Sequence, residues 1–292
     1  MPYGGGLSGM GGNSGMVMSL PEHDASLVEV VEEQDALGGV ADIQLISPFA
    51  GKTFCFGKWQ QSLDTLPLER VHATLYDNSN DPVFHERLKE YARQKLPAFT
   101  LVRDSNMVQT IESTANYREI IHRCSQVYEH IYTNLLIPSC SLILNLEDDI
   151  GVPEGSFEKL EHTLKSDNQC ATVIGKCRDR RVAVRGNKPQ SISVNFQKII
   201  QIGGAPSEKV EIEWAPEREW GVEQIGAGHM GFWLSRASAV RELGMKTSSR
   251  QDVLGHDIQW GLRVNEAGQR FVIDWSVDLK HYYQKAGEIV AC

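Results

Sequence analysis

The sequence has no long apolar run, no excess of basic residues and no closely paired cysteines. No apolar segment approaches the roughly 20 residues of a membrane span, and the N-terminus lacks the basic start and apolar core of a secretory signal. Lys and Arg number 29 against 38 Asp and Glu, a net charge of −9, which disfavours non-specific binding to nucleic acid or membrane surfaces. None of the six cysteines stands in a Cys-x-x-Cys pair, so we expect reduced thiols and a cytoplasmic location.

The first 40 residues differ in composition from the rest of the 292-residue chain. Residues 4–15 are rich in Gly, and residues 22–35 are acidic. Such a segment cannot bury enough apolar surface to offset the entropy lost on ordering. We therefore predict that residues 1–40 form a flexible tail and that residues 41–292 form the folded domain.

From residue 42 onward, strand-like and helix-like segments alternate. The predicted strands are 42–47 (ended by Pro48), 71–76, 99–102, 141–146 and 171–175, and the helices among them are 83–95, 112–135 and 155–166. This order predicts an α/β fold with a largely parallel sheet covered by helices. Residues 178–224 show little periodicity and are predicted to be a solvated loop, or alternatively a lid near bound phosphates. The chain closes with predicted helices at 235–243 and 256–267 and strands at 270–275 and 277–283.

Three consecutive acids, Glu147, Asp148 and Asp149, follow the apolar run 142–146. Carboxylates stacked at the end of a buried strand repel one another, and their oxygens suit hard cations such as Mg²⁺ or Mn²⁺. Ligands of open α/β sheets bind just beyond the carboxyl ends of strands. The alternative is a solvated acidic turn, but the preceding apolar strand favours a metal site.

Several short motifs, taken in their order, resemble the metal-dependent nucleotide-sugar glycosyltransferases of the A-type (GT-A) fold, closest to the family-2-like group. The motifs span about residues 42–283 and are Ser47-Pro48-Phe49, Tyr76-Asp77-Asn78, Leu146-Glu147-Asp148-Asp149, the Gly-rich segment from Gly228 to Arg236, Gly255-His256-Asp257, and His281. The third looks like the Asp-x-Asp motif of that family in a Glu-Asp-Asp form. The usual acidic pair before the last helix is His256-Asp257 here, so the resemblance leaves His256 as a rival base. Neither a Gln-x-x-Arg-Trp motif nor a membrane span is present, which argues against a processive polysaccharide synthase.

The resemblance implies a GT-A, Rossmann-like sheet with a nucleotide-sugar-binding half, residues 41–177, and an acceptor and catalytic half, residues 178–292. It implies an inverting transferase of the EC 2.4 class that uses a UDP-sugar and Mn²⁺ or Mg²⁺. The implied roles are metal binding by Asp149 and His281, general base catalysis by Asp257, and nucleotide-sugar binding by Pro48, Asp77, Asn78, Glu147 and Asp148. The acceptor stays open among a glycan, a protein, a small molecule and a modified nucleic-acid base.

Purely structural interpretations compete with the roles of Asp77, Asp257 and His281. Asp77 in Asp-Asn-Ser is typical of an Asx turn, Asp257 of a helix N-terminal acid, and His281 of a strand-edge histidine. The competing enzyme class is a sugar nucleotidyltransferase, which needs a Gly-rich loop with a basic residue after the first strand; Ala50-Gly51-Lys52 is a faint version of it. The competing non-enzyme class is a carbohydrate-binding or scaffold protein of the same fold.

Overall fold

The structure is a computed structural model that describes residues 23–106, 117–178, 191–202, 205–245, 255–285 and 287–292. The strands are β1 (Val28–Asp35), β2 (Ile43–Phe49), β3 (Val71–Asp77), β4 (Ala98–Asp104), β5 (Leu142–Leu146), β6 (Ile150–Gly151), β7 (Cys170–Lys176), β8 (Ser193–Ile202), β9 (Ala205–Trp214), β10 (Val222–Ile225), β11 (Ala227–Gly228), β12 (Phe232–Arg236), β13 (Arg270–Asp278), β14 (Lys280–Lys285) and β15 (Glu288–Ala291). The α-helices are α1 (Phe56–Leu63), α2 (Pro82–Lys95), α3 (Tyr117–Asn134), α4 (Ser156–Ser166), α5 (Ala237–Leu243) and α6 (His256–Glu266). Within the described ranges, no helix is long and apolar enough to cross a membrane.

A nine-stranded sheet in the order β1-β4-β3-β2-β5-β12-β7-β13-β10 forms the centre of the fold. The pairs β4–β3, β3–β2, β2–β5 and β7–β13 are parallel, whereas β12 runs antiparallel between β5 and β7. The prediction of an α/β fold with a mostly parallel sheet is therefore confirmed. Because β2, β3 and β5 run in the same direction, their carboxyl ends lie along one edge of the sheet.

Apolar side chains pack on both faces of this sheet. Alternate residues of a strand point to opposite faces, and accordingly Leu144 of β5 packs with α1, α2 and α4 while Ile143 packs with α3, α5 and α6. The result is three layers, helix on sheet on helix. Four fully buried tryptophans belong to this core, so none of them is exposed to stack on a sugar; they are Trp59, Trp233, Trp260 and Trp275.

The prediction that Pro48 ends the first strand is wrong. β2 continues to Phe49, and Pro48 is paired with Tyr76 of β3. Pairing with β5 has already ended at Ile46 opposite Asn145, so proline stands at a strand end, where a missing N–H is tolerated.

The prediction of a flexible tail is wrong for its last part. Residues 28–35 form β1, which pairs antiparallel with β4 at the edge of the sheet. Glu32 accepts two hydrogen bonds from Arg93 of α2, at 2.6 and 2.7 Å. Acidic composition hid this strand because its charged side chains face solvent or Arg93 rather than a core. Residues 1–22 lie outside the described residues.

The prediction of an irregular loop at 178–224 is also wrong for most of the described residues in that segment. β8 and β9 form a hairpin that pairs with β11 in a separate three-stranded sheet, and β10 joins the edge of the central sheet. The Arg- and Lys-rich stretch 179–190 lies outside the described residues. A helix that the sequence did not predict, α1, follows β2.

Candidate active site

The three acids lie in a tight turn directly beyond β5. The backbone N–H of Ile150 donates to the carbonyl of Glu147 at 3.3 Å, which closes the turn. Asp148 and Asp149 are buried, at 4% and 0% exposure, while Glu147 is half-buried. Carboxylates held out of water at the carboxyl edge of parallel strands lie where ligands of this sheet type bind.

Asp149 and His281 come together from 132 positions apart. His281 lies on β14, which pairs with the short strand β6 that follows the acid turn. Its Nε2 lies 3.2 Å from Asp149 Oδ2, and its Nδ1 lies 2.9 Å from the carbonyl oxygen of Arg178. A carbonyl only accepts, so Nδ1 carries a proton and Nε2 is the nitrogen that faces the carboxylate. A metal ion bound at Nε2 would take the place of this contact, with the Nδ1–H still held by the Arg178 carbonyl.

Lys52 brings a positive charge to the same carboxylates. Its Nζ lies 2.8 Å from Asp149 Oδ2 and 3.5 Å from Asp148 Oδ1. The backbone N–H of Ala50 donates to Asp148 Oδ2 at 3.2 Å. Burial raises the pKa of Asp148 to about 6; Lys52 opposes this rise, and the charges of Asp149 and Glu147 add to it. The loop after β2 therefore partly neutralises the acid cluster.

Glu147 is oriented by a tyrosine of α3. The Tyr128 hydroxyl donates to Glu147 Oε1 at 2.9 Å and accepts from the side-chain amide of Asn145 at 3.2 Å. The same amide donates to the carbonyl of Met230. Burial raises the pKa of Tyr128 well above its usual value, with Glu147 adding to the rise. The hydroxyl thus stays protonated and holds one Glu147 oxygen in place.

Helix α6 begins beside these groups. The ring of His256 stacks on Tyr128, with centroids 4.3 Å apart and planes at 20°. Asp257 occupies the first turn, half-buried, and its Oδ1 accepts from the N–H of Ile258 at 2.8 Å. Burial lowers the pKa of His256, against the charges of Asp257 and Glu147. His256 is therefore within electrostatic reach of Glu147, and Asp257 is its neighbour in the chain.

A chain of contacts connects the start of α6 to the acid turn. His256 stacks on Tyr128, and Tyr128 donates to Glu147, so Asp257 lies one residue from a side chain that packs beside this turn. The thiol of Cys124, on α3, is influenced by the same charges: burial raises its pKa to about 11, Glu147 adds to the rise, Lys52 opposes it, and Asp257 and Asp148 add to it.

Asp77 and Asn78 lie at the carboxyl end of β3, next to β2. Asp77 Oδ1 accepts from the N–H of Ser79 at 2.9 Å in an Asx turn, and Oδ2 lies 2.8 Å from Nδ1 of the buried His85. The backbone N–H of Asn78 donates to the carbonyl of Phe49 at 3.1 Å, and its buried side-chain oxygen has no hydrogen-bond partner among the described residues. The carboxylate of Asp77 therefore has structural partners on both oxygens.

The side chains present fit a divalent cation that takes only one or two of its ligands from the protein. Over the described residues, no group of three or more His, Cys, Asp or Glu side chains is placed to hold a metal ion. Asp149 and His281 form a pair instead. Mg²⁺-type sites commonly use one or two protein ligands and complete their octahedral shell with substrate phosphates and water. A carboxylate and a neutral imidazole nitrogen suit Mn²⁺ in the same way.

Lys52, Tyr128 and His229 were not predicted to belong to this site. Lys52 was noted only as part of a faint nucleotidyltransferase loop, although it stands four residues after Pro48 at the end of a strand. Tyr128 carried a weaker signal, since the hydroxyl of a buried tyrosine needs a partner. His229 had no such signal, since its partners are the backbone groups of Gly175 and Gly231.

No protein-family model matches the sequence, and no curated protein sequence matches it. Solved structures match in fold. A mannosyltransferase from Pyrobaculum calidifontis, solved with GDP-Man and Mn²⁺, gives a TM-score of 0.51 at 13% identity, over 86% of this chain and 59% of that chain. GalNAc-T7, solved with UDP, GalNAc and Mn²⁺, gives 0.57 at 12% identity, over 85% of this chain and 44% of that chain.

The chain thus spans about three fifths of the first of these proteins and less than half of the second. At such low identity the likeness shows the fold alone. That fold is the GT-A fold, as the ordered motifs of the sequence predicted.

Proposed function

We propose that this GT-A domain is a metal-dependent glycosyltransferase that moves a sugar from a nucleotide diphosphate, a UDP-sugar, to an acceptor hydroxyl with inversion. The observation that carries the proposal is the meeting of Asp149 Oδ2 and His281 Nε2, 3.2 Å apart, at the carboxyl edge of the parallel strands. Both fold neighbours were solved with Mn²⁺ and a nucleotide or nucleotide sugar, which supports the same chemistry here.

In this proposal the two halves of the chain divide the work. Asp149 and His281 hold Mn²⁺ or Mg²⁺, which when bound stabilises the negative charge that grows on the leaving diphosphate. Glu147 and Asp148 face the ribose hydroxyls or metal-bound water. Pro48, Asp77 and Asn78 line the nucleotide side, since they lie at the ends of the neighbouring strands β2 and β3.

Asp257 is the proposed general base for the acceptor hydroxyl. It lies in the first turn of α6, which packs on β11, β13 and α3, and its Oδ2 is not used by the backbone hydrogen bond that Oδ1 accepts. His256 is the rival, because its lowered pKa keeps it neutral and able to accept a proton. The stacked Tyr128 ring fixes His256 in place, which favours an orienting role for His256 and leaves the proton to Asp257.

Calorimetry of UDP and GDP binding, with Mn²⁺ and with EDTA, tests the proposal. We expect nucleotide binding that requires the metal in the wild-type protein and is lost in Asp149→Asn. Asp64→Asn, an exposed acid at the end of α1, is the matched control and should bind as wild type. Equal binding in EDTA, or in Asp149→Asn, would contradict the metal assignment. Donor hydrolysis by the metal-loaded protein then separates an enzyme from a non-catalytic carbohydrate-binding protein.

Nucleotidyl transfer is a second candidate because Lys52, a basic residue directly after β2, reaches the acid cluster. Such an enzyme would join a nucleoside triphosphate to a sugar 1-phosphate and release pyrophosphate. Incubation with each pair of substrates decides between the two reactions. Pyrophosphate release without donor hydrolysis would replace the glycosyltransferase proposal.

A further inference from the structure

Lys52 lies in a loop whose backbone is anchored on both sides. Gly51 before it adopts the left-handed backbone conformation, with φ of +85°, and no atom of the described residues lies within 4 Å of where its side chain would begin. Ala50 ties the start of the loop to Asp148 by its backbone N–H. The Lys52 carbonyl accepts from the N–H of Cys55 at 2.9 Å and starts a short helical turn. The backbone is therefore anchored on both sides, and the flexible four-carbon side chain is the part able to swing.

The Lys52 ammonium lies where a divalent cation would have to approach. Its Nζ and His281 Nε2 both contact the same atom, Asp149 Oδ2, at 2.8 and 3.2 Å. A cation ligated by that oxygen and that nitrogen would lie directly beside Nζ. Two positive charges at such a separation repel strongly, and solvent screens this repulsion little because Asp149 is fully buried. The ammonium and the cation therefore cannot both occupy these positions.

The charge of the site also indicates where the ammonium goes next. The cluster has three carboxylates, those of Glu147, Asp148 and Asp149, and only one ammonium, that of Lys52. It therefore stays negatively charged with Lys52 in place and can accept a cation of higher charge. The diphosphate that enters with that cation brings new negative charge to the same edge of the sheet. A lysine ammonium binds phosphate as a mobile point charge. The side chain of Lys52 is about one fifth exposed, so solvent reaches it.

We propose that Lys52 serves as an internal counter-ion of Asp149 that a divalent metal displaces, and that its ammonium then binds the diphosphate of the nucleotide. Binding of the diphosphate by Lys52 rests on the proposed function. Exchange of Lys52 with the metal does not. It makes nucleotide binding ordered, because the lysine becomes available to phosphate only after the metal has entered.

Two variants and one control test the proposal by binding alone. Lys52→Met keeps the length of the side chain and removes the charge, Lys52→Arg keeps the charge, and Lys95→Met removes an exposed charge at the end of α2. In nucleotide-free protein, Mn²⁺ affinity measured by electron paramagnetic resonance should rise about tenfold or more in Lys52→Met, because the competitor is gone. With saturating Mn²⁺, affinity for UDP or GDP should fall about tenfold or more in the same variant, while uridine binding stays unchanged. The nucleotide affinity of Lys52→Arg should be closer to that of the wild type than the affinity of Lys52→Met. Lys95→Met should have the nucleotide affinity of the wild type.

The outcomes separate this proposal from the proposed function. Unchanged or weaker Mn²⁺ affinity in Lys52→Met overturns the exchange, whether or not the wild type binds nucleotides. Wild-type binding with an equal nucleotide affinity in Lys52→Met overturns the diphosphate contact and leaves the proposed function standing. If the wild type binds neither UDP nor GDP with metal, the proposed function and the diphosphate contact fall together.

A measurement on the wild-type protein covers the case in which Lys52→Met does not fold. Acetic anhydride labelling followed by mass spectrometry reports how accessible each lysine amine is. The Lys52 amine should become more reactive when Mn²⁺ alone is added and should be protected when the nucleotide follows, with Lys95 unchanged throughout. Reactivity of Lys52 that does not respond to Mn²⁺ overturns the proposal.

Discussion

His229 is held as a neutral imidazole by two backbone groups of opposite kind. Its Nε2 lies 2.8 Å from the carbonyl oxygen of Gly175, to which it must donate, and its Nδ1 accepts from the N–H of Gly231 at 3.1 Å. Protonation of Nδ1 would place its N–H directly opposite the N–H of Gly231, with no acceptor between them. Burial lowers the pKa of His229 to about 4, with the hydrogen bond to Gly175 acting in the opposite direction.

This histidine predicts a loss of stability in acid. Unfolded protein binds the proton from pH 6.5 downward, whereas the folded protein resists it until about pH 4. Stability contributed by neutral His229 is therefore complete above pH 6.5 and falls as the pH drops toward 4, by about 3 kcal/mol at most. Urea unfolding at pH 7 and pH 5 should show this loss in the wild type and a smaller one in His229→Gln. His162→Gln, an exposed position on α4, should behave as wild type, and an undiminished acid loss in His229→Gln would contradict the assignment.

Asp77 combines a structural and a proposed binding role in one side chain. Asp77→Ala leaves the buried His85 without its 2.8 Å partner, so we expect a loss of about 1–3 kcal/mol in stability. Under the proposed function we also expect weaker nucleotide binding and an unchanged metal requirement. Asp81→Ala is the matched control, because Asp81 caps α2 through the N–H groups of Val83 and Phe84 and its loss costs about 1 kcal/mol. If both variants bind the nucleotide alike, Asp77 is only a turn residue.

At the scale of elements, β1 is an integral edge of the central sheet. It covers β4 along its length, and the residues just before it add side-chain contacts. His23 lies 3.1 Å from Asp104 Oδ2 at the end of β4, and the N–H of Asp24 donates to Asn106 at 2.9 Å. Removal of this edge would expose a long strand to solvent and to other chains.

Two truncations therefore should differ. A chain that starts at Glu22 keeps β1 and its contacts, and we expect it to retain the melting temperature and nucleotide binding of the full chain. A chain that starts at Ala41 loses β1, the Glu32–Arg93 pair and the contacts of His23, and should melt several degrees lower. Differential scanning calorimetry distinguishes them. Equal melting temperatures would show that β1 adds nothing to stability and would restore the expectation of a dispensable tail.

The elements that sequence patterns predicted are those with one clear period. α2, α4 and α6 were predicted within about two residues because each carries an apolar stripe with polar residues on the other face. The hairpin of β8 and β9 was not predicted, because its sequence shows no clear period; it forms a separate small sheet with β11 rather than a strand of the central sheet. β14 was predicted, but its contact with Asp149 was not derivable from pattern and came only from the resemblance.

At the scale of the whole molecule, the candidate site joins residues that the fold, rather than the sequence, brings together. The acid turn was readable because its three carboxylates are adjacent in sequence. Its partners come from the loop after β2, from α3 and from β14. Such contacts depend on strand order, which local patterns do not determine. The antiparallel strand β12 between β5 and β7 is the clearest case. The carbonyl oxygen of Gly231, the residue just before β12, accepts from the N–H of Glu147 at 2.8 Å.

Under the proposed function, the placement of Asp257 predicts inversion. The proposed nucleotide-binding residues lie at the ends of β2 and β3, whereas Asp257 lies on α6, which packs on α3 and β13. A base on the acceptor side, opposite the leaving diphosphate, permits displacement in one step and reverses the anomeric configuration. Removal of a positioned base typically costs about 10²–10⁴-fold in rate.

Asp257→Asn should lose transfer by that factor and keep donor affinity and fold, because Asn still accepts from the N–H of Ile258 at the helix start. Glu266→Gln, at the exposed end of the same helix, removes an equal charge and should transfer as wild type. His256→Ala tests the rival base, and a greater rate loss there would move the base by one position. NMR of the anomeric proton of the product reads the stereochemistry directly. A product that retains the donor configuration would refute one-step displacement even if Asp257 proved essential.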